Sequence, residues 1–305
     1  MSLCSAKEIR ILMLHGYTQS GRSFEIKLQP LIKRLISILS AHYGTQENNI
    51  QLIFPNAPIP LDPYTTSDYE STIESSIYGW TAFYSADEKV PYEGLERSLS
   101  FLSFTTKIQG PFSGVVGFSQ GAALAAIFAS WCESDFTPKR RQAIQDMRTK
   151  LDTTFSQLLS LPPQGPLDFA IFYSGFTATM EFYYGFYNPP LTTPSIHILG
   201  KLDTFIPKVN SLELLESCRC SVLIEYEGVH YVPRDKATVE KVIQNLSILL
   251  QRQRNFISRH GPRNEPTSAP YSGPSTPLST GKKSNNSRHV KKEKIIRRYR
   301  FSRLF

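Results

Sequence analysis

The chain has 305 residues, 40% of them hydrophobic and 20% charged, with a mean hydropathy of −0.25. This is the composition of a globular chain able to bury one large core, and no apolar run reaches the length of a membrane span. The net charge of +8 divides unevenly: 14 of the 34 Lys/Arg but 2 of the 26 Asp/Glu lie in residues 252–305, a net +12, which leaves 20 against 24, a net −4, in residues 1–251. A mildly acidic body gives no support to nucleic-acid binding by the folded part.

Lys7, Glu8 and Arg10 stand where a signal peptide would need apolar residues, so export is not expected, and a cytoplasmic location is. Ile9–Leu14 is a near-continuous apolar run, the pattern of a parallel strand covered on both faces. It opens into His15-Gly16-Tyr17-Thr18-Gln19-Ser20, a loop suited to supplying an oxyanion donor from the Tyr17 amide. His15 is expected to be a hydrogen-bonded structural residue. Ser23 is placed to cap a helix from Phe24 to about His42, with Leu28, Leu31, Leu35 and Leu39 on one face and Gly44 ending it.

Ile50–Phe54 reads as the next strand. From Ile59 to Pro91 periodicity disappears and aromatic residues accumulate, Trp80 among them, as in a pocket wall or a loop packing its own rings. Tyr92–Gln109 reads as a helix leading to the stretch around which the chain is organised. Val115-Val116 is a short β-branched run, Gly117-Phe118-Ser119-Gln120-Gly121 follows at once, and an Ala/Leu helix begins. A strand, a G-x-S-x-G turn and a helix together hold a serine exposed above the sheet edge and bring the Gln120 amide to the positive end of the helix. Taken alone the five residues also suit a Gly-rich turn with a buried serine; the flanking strand and helix favour a nucleophile.

Residues 138–161 form a charged helical stretch that suits a lid or a surface helix equally. Leu167–Tyr173 is a strand ending in Ser174-Gly175-Phe176, and a second aromatic cluster follows in residues 177–190. Ser195–Leu199 is a strand that releases Gly200-Lys-Leu-Asp203 from its end, and Lys208–Ser217 is a helix. Strand Ser221–Glu225 leads to Glu227-Gly-Val-His230-Tyr-Val-Pro233, and a last amphipathic helix runs from about Arg234 to Gln251. Cys218 and Cys220, the one close pair among four cysteines, read as reduced thiols.

Strands alternating with helices imply a parallel sheet with helices on both faces, whose site lies beyond the carboxyl ends of the strands. His15, Ser119, Asp203 and His230 all lie there. A serine nucleophile needs a base for its proton and an acid to orient the base, and Ser119, Asp203, His230 follow the order nucleophile, acid, histidine found in α/β-hydrolases. His42 precedes the serine at a helix end, His197 lies inside a strand, and His260 and His289 lie in the basic tail.

These motifs resemble the family serine hydrolases of fungi (FSH type), the group that includes the ovarian-cancer-associated serine hydrolase, over residues 8–250. The resemblance implies an α/β-hydrolase with esterase or thioesterase activity, without metal or cofactor, acting on a small-molecule or carrier-bound acyl substrate. Some fungal relatives release polyketide chains in secondary metabolism. By motif, Ser119 is the nucleophile, Asp203 the acid and His230 the base, with the Tyr17 and Gln120 amides as oxyanion donors. Tyr17, Trp80 and Phe176 are the expected substrate-binding side chains. The division expected is a catalytic domain of residues 1–251 and a disordered basic tail of 252–305, with nuclear entry through the tail as a possibility. The rival expectation is a non-catalytic hydrolase-fold protein that binds anionic partners through that tail.

Overall fold

Every residue of Ile9–Leu14 except Arg10 is buried, and the segment forms strand β1. The computed structural model describes residues 8–62, 76–82, 92–178 and 181–260. After β1 come α1 (Gly21–Tyr43), β2 (Ile50–Ile53), the short strands β3 (Ile59–Leu61) and β4 (Ile77–Gly79), and α2 (Leu95–Gln109). Then follow β5 (Gly114–Phe118), α3 (Gln120–Cys132), α4 (Pro138–Arg148), α5 (Thr153–Leu158), β6 (Phe169–Tyr173), β7 (Ser195–Gly200), α6 (Lys208–Glu216), β8 (Ser221–Tyr226) and α7 (Lys236–His260).

Six strands form one parallel sheet in the order β2-β1-β5-β6-β7-β8. The chain moves outward from β1 to β2, then crosses to the other side of β1 and continues outward from β5 to β8. The reversal lies between β1 and β5, and a crevice opens at such a point beyond the strand ends. The loop carrying His15 and the turn carrying Ser119 both leave the sheet there.

Alternation along the strands sorts the apolar residues into two cores. Leu12, Leu14, Val115, Ala170 and Phe172 face a layer containing α2 and α3. Ile9, Ile11, Met13, Val116, Ile171, Ile196 and Ile198 face the other way, against Leu28, Leu31, Leu35 and Leu39 of α1 and Val239, Val242 and Leu246 of α7. Within that first layer helix α3 packs on the sheet and is buried along all its length, which suits its Ala-rich sequence.

Several boundaries differ from those read in the sequence. Helix α1 starts at Gly21 and is capped by Ser20, with Ser23 returning the bond to the Ser20 amide in a capping box. In the aromatic stretch after Ile59, β3 and β4 pair antiparallel, and Tyr78 donates its amide to the Gln19 carbonyl at 3.0 Å, which ties the ribbon to the loop after β1. Much of that stretch, and residues 261–305 of the expected tail, lie outside the described residues. Helix α7 continues through His260, past the expected end at Gln251. The buried Gln253 donates to Asp168 (3.0 Å), so a polar sequence continues the helix because one of its amides is paired inside. Among the described residues, no helix is long and apolar enough to cross a membrane.

Candidate active site

Strand β5 is wholly buried and ends at Phe118. Ser119 then adopts φ 53° and ψ −120°, a left-handed conformation that strains an L residue by about 1–3 kcal/mol. Neighbouring backbone holds it there: the Ser119 amide donates to the Tyr173 carbonyl (2.8 Å), and its own carbonyl accepts from Ala122 and Ala123 (2.9 and 3.0 Å). The motif's glycines are demanded by close approach. A β-carbon at Gly121 would come within 2.3 Å of the carbonyl oxygens of Leu14 and His15, and one at Gly117 within 2.5 Å of the Gly121 carbonyl. The turn therefore lets α3 start directly above β1, with the serine at the crevice.

The loops after β7 and β8 deliver the other two side chains, and they are joined to each other. Lys201 donates its amide to Tyr226 O (3.0 Å) and Leu202 its amide to Gly228 O (2.9 Å). A β-carbon at Gly200 would lie 2.4 Å from the Gly228 carbonyl, so this contact requires glycine. The result is a linear chain of contacts. Ser119 Oγ lies 2.9 Å from His230 Nε2, and His230 Nδ1 lies 2.8 Å from Asp203 Oδ2.

Asp203 has no acceptor to serve, only donors to accept from. Its Oδ1 receives the amides of Phe205 (3.0 Å) and Ile206 (2.9 Å), and its Oδ2 receives the Ser174 hydroxyl (2.8 Å) in addition to His230. Burial pushes this carboxyl up, but the bonds from His230, the Ile206 amide and Ser174 outweigh it and hold the group below its ordinary value. An ionised Asp203 requires the proton of His230 on Nδ1, which leaves Nε2 free to accept from the serine hydroxyl. Two rings lie close to the imidazole, Phe118 at 4.9 Å and Phe205 at 5.5 Å between centroids.

His15 takes no part in this chain. It is fully buried, its Nδ1 lies 2.7 Å from Gly16 O and its Nε2 accepts the Ala57 amide at 3.0 Å, a pattern satisfied by the neutral Nδ1–H form. Burial lowers its pKa to about 4, so it stays uncharged, as expected of a structural residue. His197 is likewise buried inside β7, its pKa lowered by burial to about 3.

Beside the serine lies a mostly apolar cavity of about 110 Å³. Trp80, Gln120, Ala123, Leu124, Ile127 and Phe176 are among its walls, which brings together two of the three side chains expected at the substrate site. Tyr17 is not among the lining residues; its ring packs on Gly79, where a β-carbon would come within 2.9 Å. The Gln120 amide is the first of helix α3, and an amide in the first turn has no acceptor within its own helix.

Two side chains at the site escaped the sequence reading. Ser174 was visible only as part of Tyr-Ser-Gly-Phe after a strand; its partner Asp203 is brought to it by the next strand. It too has positive φ, 46°. The Gln120 side chain accepts the Trp80 amide (2.8 Å) and donates to Thr81 Oγ1 (2.8 Å), while Trp80 Nε1 donates to His15 O (2.8 Å). Trp80 thus ties the loop after β1 to the nucleophile turn. Among the described residues, no group of three or more His, Cys, Asp or Glu side chains could hold a metal ion. Cys218 and Cys220 are free thiols.

A parallel sheet wound with helices on both faces, carrying a serine on a strained strand-to-helix turn and a histidine and a carboxylate on later loops, defines an α/β-hydrolase. Within that class the chain belongs to the serine hydrolase (FSH1) family, whose model matches residues 1–242. It is 28% identical to a Schizosaccharomyces pombe protein named dihydrofolate reductase, over 94% of this chain and 56% of that protein, so the chain spans about half the length of that relative. It is 29% identical to the Danio rerio protein named esterase OVCA2, over 75% of this chain and 92% of that one. Among solved structures, maize acyl-protein thioesterase 2 has the same fold, with a TM-score of 0.51 at 18% identity, over 82% of this chain and 97% of that one.

Proposed function

We propose that this chain hydrolyses esters or thioesters of apolar or aromatic acyl groups through a covalent acyl-enzyme on Ser119. The observation that carries the reading is the unbroken run of contacts from Asp203 through His230 to Ser119 Oγ. In the first step Oγ attacks the carbonyl carbon, His230 Nε2 takes the hydroxyl proton, and Asp203 stabilises the imidazolium. The amides of Gln120 and Tyr17 receive the oxyanion, a contribution worth on the order of 100-fold or more in kcat per donor. When the C–O or C–S bond breaks, His230 returns its proton to the leaving group. Water, deprotonated by the same nitrogen, then releases the acid. Trp80, Phe176 and their neighbours receive the acyl group. The fuller form of the proposal, which comes from the resemblance to fungal enzymes of secondary metabolism, is release of a polyketide-type chain from a carrier-bound thioester.

Labelling with a fluorophosphonate probe tests the reading. The wild type is expected to be modified at Ser119, with Ser119→Ala unlabelled and inactive; an unlabelled but folded wild type would refute it. The charge of residues 252–305 favours one second reading, in which the tail binds anionic partners and the body does no chemistry. The two separate on removal of residues 261–305, a cut that spares helix α7. Full turnover without the tail supports the enzyme, and a folded full-length chain that turns over no ester or thioester but loses binding to an anionic partner on the cut supports the rival.

A further inference from the structure

Besides Tyr231, whose ring carries a hydroxyl, three wholly apolar side chains stand exposed within two residues of Asp203 or His230: Leu202 at 61%, Phe205 at 60% and Val229 at 52%. Their arrangement is fixed. The Leu202 amide bonds Gly228 O beside Val229, and the Phe205 amide is held by Asp203 Oδ1 while its ring lies 5.5 Å from the His230 ring. Phe205 therefore borders the imidazole, and Leu202 and Val229 are exposed one residue from Asp203 and His230 on the two joined loops. The apolar cavity proposed to receive the acyl group borders Gln120 and helix α3.

Acid catalysis says which part of the substrate meets which region. The proton taken from Ser119 must pass from His230 Nε2 to the departing oxygen or sulfur, so the leaving group has to lie against His230. The acyl chain lies on the other side of the carbonyl carbon, toward Gln120. We infer that Leu202, Phe205 and Val229 form the leaving-group subsite and select esters of an apolar, uncharged alcohol. This inference rests on the serine hydrolase reading above and, within it, favours a simple ester over the carrier-bound thioester, because a polar carrier arm would leave these three side chains without an apolar partner. The step balances: Oγ–C forms, C–O breaks, the proton moves from Oγ through Nε2 to the alkoxide, and the alcohol leaves.

The test uses hexanoate esters that share one acyl group and differ in the alcohol: n-butyl, the isosteric 2-methoxyethyl, and methyl. One apolar group in such a contact is worth about 10-fold in kcat/KM, so wild type is expected to favour n-butyl over 2-methoxyethyl by roughly that factor. Phe205→Ala and, separately, Leu202→Ser are expected to bring that ratio towards unity by lowering kcat/KM for the n-butyl ester more than for the 2-methoxyethyl ester. Two results would overturn the inference: a wild type that does not discriminate, or a Phe205→Ala that lowers all three esters equally, since Phe205 would then only position His230. Fluorophosphonate labelling of Ser119 run alongside keeps the cases apart. Labelling without discrimination sinks the subsite alone, whereas failure of labelling sinks the hydrolase reading with it.

Discussion

Two buried carboxylates at opposite ends of β7 show how similar local chemistry serves different ends. Beyond the strand's last residue, Asp203 accepts from the amides of Phe205 and Ile206, from the Ser174 hydroxyl and from His230. Before its first residue, Glu133 at the end of α3 accepts from the amides of Thr192 and Thr193 and the Thr193 hydroxyl, at 2.6–3.0 Å. Arg140 of α4 lies 3.6 Å from it, both side chains 2% exposed, and bonds the carbonyls of Gly185 and Phe186. Both anions are well supplied with donors. At Glu133 the donors are two backbone amides and a hydroxyl, with a guanidinium as counter-charge, so the cluster pins α3 and α4 to the chain before β7. At Asp203 one donor is an imidazole whose far nitrogen reaches a strained serine in the crevice. A buried carboxylate becomes chemistry only where one of its partners can pass a proton on.

The difference predicts opposite phenotypes. Asp203→Asn keeps the shape but turns the acceptor facing His230 Nδ1 into a group that also donates, which favours the wrong tautomer. In serine triads this change lowers kcat by about 10⁴-fold, and a similar loss is expected here in a chain that still folds, its stability lowered by no more than about 1.5–3 kcal/mol, the scale of one hydrogen bond to a charged group. Glu133→Gln should do the reverse. It faces a donor with the donors of Thr193 and leaves the Arg140 charge unpaired in the interior, a change that destabilises folding by about 3–5 kcal/mol. Turnover per folded molecule, measured well below the melting transition, should stay at the wild-type level. If Glu133→Gln lost activity while folded, the two ends of the sheet would be coupled and the comparison would fail.

How much of this was legible depended on whether the information was local. The strands and helices, the G-x-S-x-G turn and the positions of Asp203 and His230 after strand ends follow from periodicity and chain order, and the structure joins these residues by the two hydrogen bonds that the order implies. Glu133 and Arg140 read as ordinary helix charges, because their burial comes from the chain before β7 folding over them. The β3–β4 ribbon was hidden for a related reason: three residues a strand carry no usable period, and the ribbon depends on the bond from Tyr78 to Gln19. Helix α7 outran its reading because Gln253 and Arg254 look like tail, although one bonds Asp168 and the other the carbonyl of His42.

Ser174 is the smallest lever on the comparison and the sharpest. It is a positioning residue, acting on His230 only through Asp203, so its loss should lower kcat/KM by no more than about 10-fold, the scale of one hydrogen bond to a charged group. The informative readout is pH. The Ser174 hydroxyl is one of the bonds holding the Asp203 carboxyl below its ordinary 3.8, so Ser174→Ala should let that value rise. Stability follows the same sign. A carboxyl depressed on folding stabilises the folded state above its unfolded value, and the contribution disappears as the pH falls through the depressed one. The gap in melting temperature between wild type and Ser174→Ala should therefore be full above about pH 5 and close on acidification. A Ser174 that merely packs the end of β6 would give a gap independent of pH.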